Sequence, residues 1–307
     1  MDQKLYYAAD ALKSSEWGND AEAENLLALH RPQAPEVQSI TLDVFRQICL
    51  TVDNYLSKRA FADEGTFASF NSVMKNWITD TKKIYDATTY NAFVGTAESE
   101  VGKQTISVTL PKVPDNPEAE ARLAGQTIAK EMADLMVNLT DATRDYNDYG
   151  FIRSYDKEDL MVVWNSAALN ESTTMDLPTI FHKDGLIEKM GEYVLPAKYF
   201  GEVNEGTGAG DDTTVRSLVE QEINGHHYFA GDIIKSGDTA PAGTSYTQND
   251  NILFKVMHRS SVPYTSSCEI GTSFFNPKSL TETDFLTFGH NTLVYLKNYP
   301  MITVKKA

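Results

Sequence analysis

The 307-residue sequence predicts an α+β fold. Two segments, Thr66–Val94 and the run that follows Asn116, carry apolar residues at spacings of three and four over unusually long spans. Apolar runs of strand length, DLMVVWN (159–165) and NILFKVMH (251–258) among them, lie between and after these segments. The two kinds of segment do not alternate regularly, as they would in a chain of βαβ units.

Residues 1–35 are polar and acidic, interrupted by Gly18, Pro32 and Pro35, and are expected to form an arm or extended loop without a core of its own. A short helix fits Asp20–Ala28. From Glu36 to Val52 apolar residues are dense (Val37, Ile40, Leu42, Val44, Phe45, Ile48, Leu50), and periodicity leaves strand and short helix equally open.

The Thr66–Val94 segment is expected to be one spine helix on the order of 40 Å long. Thr66 suits the N-cap, Asp63 and Glu64 lie near the positive end of the helix dipole, and Gly95 suits a left-handed C-terminal cap. Phe67, Phe70, Met74, Trp77, Ile84 and Tyr85 form the expected buried stripe, with Trp77 at its centre. QTISVTL (104–110) alternates Ile106, Val108 and Leu110, as a half-buried strand does. In the second helix Asn116 caps, Pro117 takes the first helical position, and Glu118 and Glu120 fill the first turn. Its stripe is Ala121, Ala124, Ile128, Met132, Leu135, Leu139, Ala142 and Tyr146, and reads as core.

The continuous apolar run 159–165 predicts a central strand covered on both faces. One helix or two short ones are expected in Met175–Met190, and an edge or loop segment in YVLPAKYF, broken by Pro196. GEVNEGTGAGDD (201–212) reads as a glycine-rich surface loop, Thr214–Asn224 as a helical piece, and Gly231–Asn251 as turns. NILFKVMH, SFFNP and TLVYLKNYPMITVKKA close the chain, the last as two apolar segments about a turn at Asn298–Pro300.

Composition narrows the function. The net charge is −16, and no Lys/Arg cluster exceeds two residues, the opposite of what gripping phosphates requires. No run reaches transmembrane length and the N-terminus has no signal-peptide core, so the chain is expected to fold in a cytoplasm. Cys49 and Cys268 are expected to be buried thiols. The histidines His30, His182, His226, His227, His258 and His290 make no H-E-x-x-H, and the cysteines make no C-x-x-C. Glu222 and His226 stand four apart, but Gly225 interrupts any shared helix face. There is no G-x-S-x-G elbow and no phosphate-binding G-x-x-x-x-G-K-[ST] loop. The carboxylates Asp145 and Asp148 read as a solvated face, and Tyr146, Tyr149, Phe151 and Tyr155 as packing rather than a ligand-stacking cluster. No catalytic, cofactor-binding or metal-ligating residue is assigned, and the chain is expected not to be an enzyme.

One resemblance adds to this reading. VDNYLSKRAFADEGTFASFNSVMKNW, followed by TKKIYDATTYNAFVGTAES, resembles the major capsid protein of short-tailed bacteriophages. The resemblance lies in the order of element types from about Ala21 to the C-terminus. It implies the Hong Kong ninety-seven-type shell fold of tailed-phage heads, with a long spine helix, a peripheral domain and an inserted axial domain. It implies an arm over 1–35, a peripheral domain over 36–115 and 275–307, and an axial domain over 116–274 with an insertion at about 201–250. Family members carry an N-terminal arm and half of an extended loop ahead of the matched part, whereas this chain is expected to start where that loop returns. The implied function is a structural head subunit that self-assembles into pentamers and hexamers around double-stranded DNA, without sequence-specific binding. The implied partners are copies of itself and scaffolding, portal and decoration proteins, with no membrane. The chain would be made in the bacterial host cytoplasm and reside in the virion. Arm residues Asp20, Glu22 and Glu24 are expected to meet Lys82, Lys83 or Arg59 of a neighbour. An encapsulin-like nanocompartment shell and a soluble hydrolase or binding protein are the alternatives.

Overall fold

Backbone polar groups taken out of water must pair, and among the described residues more of them lie in strands than in helices. The structure is a computed structural model that describes residues 3–14, 29, 31–53, 64–97, 104–168, 191–209, 215–235 and 237–307. The Asp20–Ala28 and Met175–Met190 helices expected from the sequence lie outside these residues, as do Asp20, Glu22, Glu24 and Arg59.

Strand β1 (Gln3–Ala8) pairs antiparallel with β2 (Glu36–Thr41), so the described part of the arm forms a ribbon with its own chain. Gln38 on this ribbon bonds the Tyr295 carbonyl and the Lys297 N–H. Strand β3 (Val44–Asp53) settles the strand-or-helix ambiguity of the next segment. Helix α1 (Glu64–Gly95) is the continuous spine, ~48 Å long at 1.5 Å per residue. Helix α2 (Pro117–Thr140) starts as its sequence dictates, with the Asn116 side chain accepting from the Ala119 N–H at 3.1 Å.

The core is built around a five-stranded sheet. Strand β5 (Thr105–Val108), β16 (Met301–Lys306), β13 (Ile252–His258), β6 (Leu160–Asn165) and β7 (Gly191–Leu195) lie side by side in that order. Every residue of β6 is buried. Because side chains alternate, Leu160, Val162 and Trp164 face one apolar cluster with Ile128, Met132, Leu135 and Leu139 of α2. Met161 and Val163 face a second cluster with Ala92, Phe93 and Val94 of α1. The doubly covered strand is thus present, and β7 is the expected edge. Tyr146 and Tyr155 belong to the α2 cluster, while Tyr149 stacks on Phe151.

A second sheet joins segments far apart in the chain. Strand β14 (Ser266–Asn276), β15 (Thr281–His290) and β3 pair antiparallel in that order. A third sheet runs β4 (Thr96–Ala97), β8 (Gly201–Ala209), β12 (Thr239–Gln248) and β9 (Val215–Arg216).

Several expectations are corrected here. The glycine-rich 201–212 stretch is not a loop up to Ala209. It is a strand matched to the turn-rich 239–248 run, with Thr244 opposite Glu205 and Tyr246 opposite Val203. Of the expected Thr214–Asn224 helix, the described part, 215–224, is not helical: Val215–Arg216 is a strand, and β10 (Gln221–Ile223) turns back into β11 (His226–Tyr228). Asn224 and Gly225 at that turn have φ of 52° and 82°, the left-handed pair of a two-residue hairpin. Cys49 and Cys268 are exposed, Cys49 because it falls on the outward-facing set of the alternating β3. Gly95 is not a left-handed cap. It is needed because the Tyr199 carbonyl would lie 2.1 Å from any Cβ there.

Trp77 is the sharpest correction: it is 61% exposed. On α1 the buried line runs through Ile78, Tyr85, Thr89, Ala92 and Phe93, with Met74 half-buried at its start. From Met74, a step of four residues stays near this line and a step of three leaves it by ~100°. Trp77 therefore shares a face with Val73 and Ile84, both also exposed.

Candidate assembly surface

An apolar side chain left in water forgoes the main favourable term of folding, ~25 cal/mol per Å². Contiguous exposed apolar residues therefore locate contacts that the single chain leaves unmade. Among the described residues, exposed apolar side chains gather as Leu5, Tyr7 and Val37 on the β1–β2 ribbon, as Val73, Trp77 and Ile84 on α1, and as Ile270 and Phe274 on one face of β14, with Phe275 on its other face. Tyr7 and Val37 are direct cross-strand partners.

Side-chain bonds tie the elements that carry these surfaces to one another. Beneath α1, the Tyr85 hydroxyl lies 2.6 Å from His290 Nε2, and His290 Nδ1 lies 2.8 Å from the Asn291 carbonyl. That carbonyl can only accept, so Nδ1 carries the proton and Nε2 accepts from Tyr85. Burial pushes the His290 imidazole below its ordinary pKa, favouring the same neutral form. Next to it, Lys82 bonds Asp86 at 2.6 Å and Glu269 at 2.7 Å, joining α1 to β14. Burial opposes the Lys82 charge, but the bonds to Asp86 and Glu269 outweigh it and raise the ammonium pKa. The Tyr264 hydroxyl donates to Asp86 at 2.7 Å, and burial pushes that phenol up. Lys82 is thus engaged within its own chain, and Lys83 lies 3.3 Å from Asp80.

The end of α1 is fixed differently. Lys255, fully buried on β13, donates to the carbonyls of Val94 (2.7 Å) and Thr96 (2.5 Å). Tyr295 donates to the same Thr96 carbonyl at 2.6 Å. Arg216 donates to Thr96 Oγ1 (2.8 Å) and the Lys198 carbonyl (2.9 Å), and its burial lowers the guanidinium pKa to about 10. Cations at the C-terminal end of a helix meet its unpaired carbonyls and the negative end of its dipole. Sequence reasoning overlooked both residues. The available signal for Lys255 was a charge at an inward position of an otherwise apolar strand.

The ribbon is moored through Asp10, whose carboxylate accepts from the Ile152 N–H (2.9 Å) and Arg144 (3.2 Å). Ile152's N–H holds that carboxyl below its usual range, with Arg144 adding to it. The described arm thus contacts its own subunit.

Residues searched for chemistry fall apart in space. Glu222 stands opposite His227, not His226, and the histidines bond separately, His226 to Asp238 at 2.9 Å and His227 to Glu220 at 3.1 Å. Tyr228, Asn224 and His226 all bond Asp238, and the first of these contributes most to lowering its pKa. Among the described residues no group of three or more His, Cys, Asp or Glu is placed to hold a metal ion, and no helix is long and apolar enough to cross a membrane.

No family model and no curated protein matches the sequence. Solved structures do. A chain of the capsid structure of Staphylococcus phage Andhra superposes with a TM-score of 0.62 at 9% identity, covering 100% of this chain and 81% of that one. A chain from the structure of the head fiber and inner core protein gp22 of native bacteriophage P68 gives 0.50 at 10% identity, covering 98% and 80%. The chain has the tailed-phage capsid fold that its spine segment resembles.

Proposed function

We propose that this chain, which has the fold of tailed-phage head shells, is a major capsid protein: a structural, non-enzymatic subunit that assembles with copies of itself into a closed head. The observation that carries the reading is a fold match spanning the entire chain despite 9% identity. The exposed apolar residues on the ribbon, the spine and β14 support it, since each suits burial against a neighbour. The charge of −16 suits a wall that encloses DNA without gripping it.

We read the chain as two lobes. The first comprises β3, α1 and the β14–β15 hairpin. The second comprises the five-stranded sheet with α2, to which β16 brings residues 301–306. This division begins the returning peripheral segment near 266 and assigns the final strand to the axial lobe. Pentamers and hexamers are the expected units, and portal, scaffolding and decoration proteins the expected partners, within a virion head.

The test is electron microscopy and light scattering of the purified chain, alone and co-expressed with the other head proteins of its genome. Rings or closed particles are expected. A monomer under every such condition would overturn the reading.

A further inference from the structure

Strand β14 is one of the two outer strands of its sheet, and its residues 268–275 are all exposed, so the described residues leave both of its faces open from Ile270 onward. Such an edge offers a row of unpaired backbone groups, which proteins ordinarily protect with lysine, proline or a covering element. Here Ser266–Asn276 contains no lysine and no proline. Its single charge, Glu269, is bound at 2.7 Å by Lys82, which it shares with Asp86. On a chain of net charge −16, residues Ile270–Asn276 carry no charge, so two copies can approach along them without like charges meeting.

From these features we infer that β14 is a self-pairing edge, joining antiparallel to β14 of a second copy about a two-fold axis near Thr272. The partner's identity as a second copy rests on the shell reading. The strand's own sequence favours this register. A β-bulge with Cys268 at φ 57° ends regular pairing before Ile270, leaving Ile270–Asn276 as the straight edge. With Thr272 facing itself, Ile270 stands opposite the second copy's Phe274, a β-branched–aromatic pair of the stabilising kind. Gly271 stands opposite Ser273, and no like charges meet. Side chains at Ile270, Thr272 and Phe274 then lie on one face, where period-two alternation puts them.

The experiment uses the full chain with Cys49→Ser and Cys268→Ser, under conditions of assembly and mild oxidation. Thr272→Cys is expected to yield about tenfold more disulfide-linked dimer than Thr51→Cys on exposed β3, because only residues held across a pair stay within disulfide reach. Adding Ile270→Lys with Phe274→Lys sets like charges opposite each other and is expected to remove most of the cross-link. Ile270→Lys with Phe274→Glu sets opposite charges there and is expected to restore it. Circular dichroism of each variant confirms folding. Equal cross-linking by Thr272→Cys and Thr51→Cys, or a cross-link indifferent to the charge pattern, overturns the inference. Particles without the cross-link remove edge pairing and leave the shell reading standing. A cross-linked dimer that never forms rings or particles does the reverse.

Discussion

The Lys255 ammonium lies 2.7 Å from the Val94 carbonyl, 161 residues away in sequence, so a fully buried lysine of the central sheet caps the last turn of the spine helix. The spine helix and the central sheet are coupled at this point, because α1 leads directly into β4 through Thr96, whose carbonyl the same lysine bonds.

Lys255→Met keeps the length and apolar stem but leaves the Val94 carbonyl buried without that donor. Thermal and denaturant unfolding should show a loss of ~1–3 kcal/mol, the usual cost of such a group. An unchanged midpoint would mean that the carbonyl finds water or another donor.

Trp77→Ala and Met132→Ala should separate sharply. Met132 is fully buried in the α2 cluster, so its truncation should cost ~2–5 kcal/mol in chemical denaturation of the subunit. Trp77 is exposed, and its truncation should stay within ~0.5 kcal/mol. Particle yield, measured alongside, should fall for Trp77→Ala if the Val73–Trp77–Ile84 face is covered by a neighbour.

Acid should weaken the subunit through His290. Burial lowers its folded-state pKa below the ordinary 6.5, with the Asn291 carbonyl and Asp86 opposing the shift and Arg46 and Lys82 adding to it. The unfolded chain therefore binds the proton first as pH falls. The stability is fully present above 6.5 and is lost between 6.5 and the folded value, at up to ~1.4 kcal/mol per pH unit. His258 acts with the same sign, its pKa lowered by burial, and its Nδ1 accepts from the Ser260 N–H. Unfolding free energies at pH 8, 7, 6 and 5 should be level at first and then decline. In His290→Gln the decline should be shallower.

Gly95→Ala should destabilise although alanine is the better helix former. The added Cβ would meet the Tyr199 carbonyl at 2.1 Å, and that atom belongs to backbone. A loss of ~1–3 kcal/mol is expected, the range for overpacking, read as a lower melting temperature. A gain instead would show that the 197–199 turn moves freely.

The sequence by itself determined the elements whose signals are local. Helix α2 was legible to the residue at its start, because Asn116 and Pro117 are chemically suited to that position whatever surrounds them. The spine helix, expected over Thr66–Val94 and found over Glu64–Gly95, and the double burial of β6 were legible for the same reason: three-and-four apolar spacing over a long segment, and an unbroken apolar run of strand length, each admit few alternatives. The Asn224–Gly225 hairpin was also written locally, in a dipeptide that favours left-handed turns, and was passed over for a helix. Tertiary structure alone decided the rest. Glycine-rich β8 is a strand because β12, some forty residues on, supplies its hydrogen-bonding partner, and propensity in strands yields to such pairing. Which face of α1 is buried depends on where the sheets lie, so the choice between Trp77 and Ile78, one residue apart, was made by neighbours distant in the chain. The exposed edge of β14 likewise follows from sheet order, which no short-range pattern encodes, because an edge is defined by the strand that is not beside it.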